Sequence, residues 1–188
     1  MVVPLPGEAL SGLSIFAFGK LPAHGDFVAR GLSAAERPAW DDWASAGLRA
    51  ARDGFGSEFE DRHTSAPPWR FAFGPGAFGE GWRAGAFTPS VDRTGRRFIV
   101  VLGAKSAEPL APGGAGAQAA EALEAEIYRA FETGADIDAL VAGAQTALQG
   151  LTPDSACDEL GRFWTPDAPL SVSAAEPPGD LIVRALSV

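Results

Sequence analysis

Cysteine is almost missing from this chain, and that excludes two chemistries. The single thiol, Cys157, cannot close an internal disulfide, and with only two histidines, His24 and His63, a Cys/His zinc site is short of ligands. Long apolar runs are missing too. None approaches the ~20 residues of a spanning helix, and the N-terminal apolar stretch lacks a basic leader and is broken by Ser11, Gly12 and Ser14. No integral membrane segment or export signal is expected, and a reduced, cytoplasmic setting follows. Positive charge is scarce. With 15 Lys and Arg against 24 Asp and Glu the formal charge is −9, which opposes a sequence-independent grip on nucleic acid phosphates. No glycine loop of the Walker or dinucleotide type is present, so no cofactor is expected.

What is present describes a globular domain. At 188 residues and 46% hydrophobic composition, one domain spanning 1–188 can bury a core without staples. The 23 Gly and 15 Pro follow no period, so they mean many turns rather than a fibrous repeat. The acidity is uneven. Residues 1–106 carry twelve Lys and Arg against eleven Asp and Glu, whereas residues 107–188 carry three against thirteen.

Residues 13–18 read as a buried strand closed by Gly19, followed by the loop Lys20–Asp26. Ser33 and Glu36 have the spacing of a capping box, although Pro38 makes Glu36 or Arg37 a competing cap. The helix that follows carries an apolar stripe, Trp40, Trp43, Ala44, Gly47, Leu48, Ala51 and Phe55. Gly47 within that stripe predicts close approach of another element, expected to be the sheet. Strands are predicted over 69–73, 82–88 and 98–102, the last two joined as a hairpin in which Asp92 and Gly95 suit positions i and i+3 of a type I turn. A flexible Gly/Ala/Pro loop is expected over 107–120, helices over about 117–132 and 136–148, a short stretch over 160–165 and a final strand over 180–186. Without regular β-α-β alternation, the expected architecture is α+β: a largely antiparallel or mixed sheet with helices on both faces.

Two loops concentrate polar chemistry. The first holds Lys20, His24, Gly25 and Asp26; the second holds Ser90, Asp92, Arg93, Gly95 and Arg96. Read as a hydrolase, Ser90 would be the nucleophile with His24 as base and Asp26 or Asp92 as orienting acid. Ser90 is not in a Gly-x-Ser-x-Gly elbow, however, and Asp92 is equally suited to accept from its own turn's amides. Arg93, Arg96 and Arg97 form the one dense basic cluster, able to clamp a phosphate or carboxylate or to pair with nearby acids.

Four stretches in order, Gly19-Lys-Leu-Pro-Ala-His-Gly-Asp-Phe-Val28, Trp40-Asp-Asp-Trp43, Pro68-Trp-Arg-Phe71 and Pro89-Ser-Val-Asp-Arg-Thr-Gly-Arg-Arg-Phe98, resemble the ordered motifs of the type VI secretion-associated TagF (ImpM) family. The likeness is strong over about 15–104, with a weaker echo at Phe163-Trp164-Thr165 before the family's C-terminal strand. It implies a non-catalytic repressor of secretion assembly that acts by protein–protein binding. A forkhead-associated scaffold is the implied partner, beside a threonine kinase and phosphatase pathway. The phosphatase, fused in some members, is expected here to be a separate protein. Lys20, Gly25, Asp26, Ser90, Asp92, Arg93, Gly95 and Arg96 match the family's pattern, whereas His24 stands where Arg or Ser is usual, which weakens it as a catalytic base. The two loops are expected to meet at one end of the sheet, with Asp26 and Asp92 pairing with Lys20, Arg93 or Arg96.

Overall fold

The computed structural model describes residues 12–166 and 170–188. Seven strands, β1 (Leu13–Gly19), β2 (Val28–Arg30), β3 (Trp69–Phe73), β4 (Trp82–Val91), β5 (Arg97–Ser106), β6 (Gly161–Trp164) and β7 (Ser171–Ser173), form one sheet in the order β2-β1-β5-β4-β3-β6-β7. Every pairing is antiparallel. Helices α1 (Glu36–Phe55), α2 (Phe59–Ser65) and α5 (Leu181–Ala185) contribute to the core on one face, and α3 (Ala115–Thr133) and α4 (Ile137–Ala147) cover the other. The expected α+β class with helices on both faces is therefore observed.

Strand alternation sorts the side chains. In β1, Phe16 and Phe18 face α1 while Ile15 and Ala17 face α3 and α4. The α3 side of the sheet carries small residues, Ala72, Ala84, Ala86 and Ala104, so a helix with alanines on its own buried face can lie close to it. The α1 side is aromatic. One cross-strand row there runs Phe16, Gly103, Gly85, Phe71, Phe163. The two glycines leave a hollow between large rings, and the buried Trp40 of α1 packs within 5.4 Å of the Phe16 ring and 5.9 Å of the Phe71 ring. A Cβ on Gly103 would collide with Phe16, and one on Gly85 with the backbone of Leu102 and Gly103.

The start of α1 is fixed twice. Ser33 N–H donates to Glu36 Oε2 at 2.8 Å and Glu36 N–H donates to Ser33 Oγ at 3.2 Å, the reciprocal capping-box pair. The same carboxylate accepts from Arg83 Nη2 of β4 at 2.5 Å and from Lys105 Nζ of β5 at 3.1 Å. Arg83 is fully buried, and its Nη1 also serves the carbonyls of Gly79, Glu80 and Gly81. Burial alone would raise the Glu36 pKa. Bonds from Ser33, Arg83 and Lys105 outweigh it and lower the value from 4.5 to about 2.

Three expectations need correction. The segment expected as a final strand over 180–186 is helix α5: Leu181, Ile182, Ala185 and Leu186 bury one helical face, and Asp180 and Arg184 close an i,i+4 ion pair. Gly47 answers to that helix rather than to the sheet, since a Cβ there would meet Ile182 at 2.8 Å. The supposed flexible loop 107–120 gives way to α3 at Ala115. One carboxylate oxygen of Asp154 accepts from Ala111 and Ala115 N–H and fastens the turn that starts the helix.

Gly103→Ala is expected to cost about 1–3 kcal/mol of stability through overpacking against Phe16, lowering the thermal midpoint by about 2–4 °C per kcal/mol. Thermal unfolding measures this. Glu36→Gln is expected to cost about 3–5 kcal/mol at neutral pH, because Arg83 would stay buried without its counter-charge. The folded pKa lies below the unfolded one, so the Glu36 contribution is complete above about 4.5 and declines as pH falls toward about 2. The difference in stability between wild type and variant should shrink across that window.

Candidate functional site

Sheet topology brings the two polar loops together. β1 ends where β5 begins, with Gly19 opposite Val100, so the loop after β1 lies beside the β4–β5 turn. The turn itself is short. Gly95 N–H donates to Asp92 C=O at 2.9 Å and Asp92 N–H to Arg96 C=O at 3.1 Å, a type I turn closed by Gly95 at φ +82°. Backbone bonds stitch the loops: Lys20 N–H donates to Ile99 C=O, and Arg93 N–H to His24 C=O at 2.8 Å.

Asp92 is the centre of this end of the sheet. Its side chain has no exposure, and five donors converge on it. Oδ1 accepts from Thr94 N–H at 2.9 Å, Thr94 Oγ1 at 2.7 Å and Arg96 N–H at 3.0 Å; Oδ2 accepts from Arg96 Nε at 2.6 Å and Lys20 Nζ at 3.0 Å. Burial pushes the carboxyl pKa up, but the donors from Thr94, Lys20 and Arg96 overcome that and hold it far below the usual carboxylate range. Lys20 is itself buried and rests over the Phe27 ring at 4.9 Å.

The remaining site residues are distributed as follows. Ser90 is buried and its hydroxyl donates to Lys20 C=O at 2.7 Å. Arg93 reaches Ala23 C=O through Nη2, and Arg96 reaches Gly25 C=O through its own Nη2 at 2.6 Å. Asp26 departs from expectation. It is exposed and accepts only from Phe27 N–H among the described residues, making no ion pair, because the neighbouring cations are already drawn to Asp92 and to loop carbonyls. His24 caps another element: its Nε2 accepts from Ile137 N–H at 3.0 Å, one of the otherwise orphaned amides at the start of α4. Ser90 and His24 are thus each engaged with backbone groups of different elements.

Two contributors escaped the sequence reading. Thr94 supplies two of the five donors to Asp92, and the Asp-x-Thr spacing within the turn was the available signal. Arg52 of α1 touches Arg97 C=O at 3.3 Å, a meeting of residues 45 positions apart that no local pattern announces. Among the described residues no group of three or more His, Cys, Asp or Glu lies close enough to hold a metal ion.

Asp92→Asn keeps the shape of the side chain while removing its charge, so Lys20 loses its counter-ion. The expected result is a lower thermal midpoint at pH 7 and faster amide exchange at Thr94 and Arg96, by calorimetry and hydrogen exchange. Because the folded-state pKa is depressed, the stabilisation should be complete above the ordinary carboxylate range, decline as pH falls through and below that range, and vanish only in stronger acid. A variant as stable as wild type at pH 7 would contradict this account.

Comparison with known proteins adds three findings. No curated protein matches the chain. A solved structure, PA0076 from Pseudomonas aeruginosa PAO1, is similar with a TM-score of 0.63 and 26% sequence identity, covering 92% of this chain and 94% of that one. The model of the TagF N-terminal domain, described as type VI secretion system-associated, matches residues 17–147, which take in both loops, the hairpin and helices α1, α3 and α4. A match over more than half of the chain shows the family: this protein belongs to the TagF N-terminal domain family of type VI secretion system-associated proteins.

Proposed function

We propose that this protein is a cytoplasmic, non-catalytic accessory factor that restrains type VI secretion assembly after translation by binding another protein of that system, a forkhead-associated scaffold being the candidate. The observation that carries this reading is the self-sufficiency of the two-loop site. The Ser90 hydroxyl, the Asp92 carboxylate and the His24 Nε2 are each bonded to the chain itself. Such a site holds a shape and presents a surface. A hydrolase built on Ser90 would need its hydroxyl aimed at a base and at substrate, and here it is aimed at a backbone carbonyl in a buried position.

The acidic second part offers the contact surface. On α3 and α4, Glu124 pairs with Arg70 and Glu126 with Arg129, whereas Glu121, 3.9 Å from Arg70, and Asp138, paired with Arg30, keep side chains 73% exposed, and Glu132 is exposed in the last turn of α3. Exposed acids on two adjoining helices suit a basic partner face, where charge complementarity sets encounter rate and partner choice. No helix among the described residues is long and apolar enough to cross a membrane.

The test is titration of the purified forkhead-associated scaffold with wild type and with a Glu121→Lys/Glu132→Lys variant. Affinity is expected to drop by about tenfold at low salt and by much less at high salt, since exposed charges are screened. Equal binding by both proteins at both salt concentrations would reject the acidic flank as the contact.

A further inference from the structure

The molecule as a whole is strongly acidic, yet one groove on it is basic. It lies between the C-terminal half of α1, the start of α2 and the β4–β5 turn, and encloses about 910 Å³ while remaining open along one side. Five of the chain's 15 Lys and Arg line it, Lys20, Arg49, Arg52, Arg96 and Arg97, against a single lining carboxylate among the described residues, Glu60. Aromatic rings make its apolar part: Phe27, 39% exposed, packs edge-on against Phe98 at 4.6 Å, and Phe59 lies under the Arg52 guanidinium at 4.9 Å.

The donors in this groove are unequally engaged. Lys20 is neutralised by Asp92, and Arg96 shares that carboxylate while its Nη1 makes no bond among the described residues. Arg97 donates to Thr64 Oγ1 at 3.0 Å and only distantly to Glu60, at 3.4 Å. Arg52 has one long bond, to Arg97 C=O. Arg49, one turn before it on the same helix, is exposed, and no hydrogen bond or ion pair of its side chain occurs among the described residues. The charges are felt nearby. Buried His63 has its pKa pushed below the usual value, first by burial, against its bond to Phe98 C=O, and further by the Arg97 and Arg52 charges.

We propose that this groove is a docking site for an acidic peptide segment of a partner protein, with carboxylates received by the guanidinium groups of Arg49, Arg52 and Arg96 and an apolar side chain resting on Phe27 and Phe98. A groove of about 910 Å³ open along one side is larger than one small anion needs, and its several guanidinium groups can each receive a carboxylate in a forked pair. Nucleic acid and anionic membrane are poor occupants, because a surface of charge −9 repels an extended polyanion that a short segment avoids. The inference is independent of the acidic flank and its basic partner. The two surfaces have opposite sign and can be tested apart.

The probe is a short labelled peptide of Glu and Asp flanking one Phe, titrated with the full chain and followed by fluorescence anisotropy. Saturable binding in the range of about 1–100 μM is expected, weakened by salt. Arg49→Glu and Arg52→Glu should each weaken it by about tenfold, whereas Arg37→Glu, a reversal at an exposed arginine of α1 outside the groove, should leave it unchanged. Arg49 has no partner to lose among the described residues, so its variant reports on the groove rather than on stability. Replacing the peptide's Phe by Ser should also weaken binding. The proposal is overturned if the peptide does not bind, if Arg49→Glu binds as wild type does, or if Arg37→Glu weakens binding equally. It is also overturned if a single-phosphate peptide without acids, an oligonucleotide or anionic vesicles bind more tightly than the acidic peptide.

Discussion

The seating of Trp40 among the rings of Phe16, Phe71, Phe73 and Phe78 is the constraint on which the α1 layer depends. A ring that size, 1% exposed and bordered by Phe16, Phe71 and Phe78, contributes roughly 1.5–3 kcal/mol through burial alone. Its larger effect is geometric. Because Gly103 leaves room for the Phe16 ring and that ring meets Trp40, the helix carrying Trp40 is keyed to one place on the sheet, and everything further along α1 inherits that placement. Arg49 and Arg52 stand beside the β4–β5 turn for this reason. Glu36, at the other end of the helix, then meets Arg83 and Lys105 without bending the chain.

The opposite face solves the same problem with different residues. Alanines on the strands and on α3 replace the aromatic row, so the helix approaches through smallness rather than through interlocking rings. A sheet covered on both sides has polar freedom only at its strand ends. At one of those ends Asp92 satisfies three backbone or hydroxyl donors and two cations at once, and the result is a rigid tip rather than a mobile loop. Groups locked to each other in this way present a fixed pattern of donors and carbonyls at the end of the sheet.

Much of this was legible in the residues. The β4–β5 turn could be read because Asp92 and Gly95 have backbone demands that few other residues meet, and α1 because its stripe and its Ser33–Glu36 pair agree. The sorting of β1 follows from simple alternation. What stayed hidden was long-range or short. Strands β2 and β7 have three residues each, too few to carry a period. Apolar residues over 181–186 suit a strand or a helix; Asp180 and Arg184, four apart, held the answer. Asp26 carries the same charge as Asp92 and likewise falls in a motif of the family, yet sits exposed one residue before Phe27, and only the third dimension separates the two. The link from His24 to α4 spans 113 residues and has no local trace.

The outer seam of α1 has a temporal consequence. Gly47 is covered by Ile182 and the Trp43 indole donates to Pro178 C=O, partners about 135 residues downstream. While the chain is still emerging from the ribosome, α1 and the strands beneath it can assemble, but that seam stays bare until Pro178 and Ile182 have been made. Newly made chains therefore pass through a stage in which an indole and a glycine-lined groove face solvent, a surface that a chaperone can hold and that closes once α5 arrives.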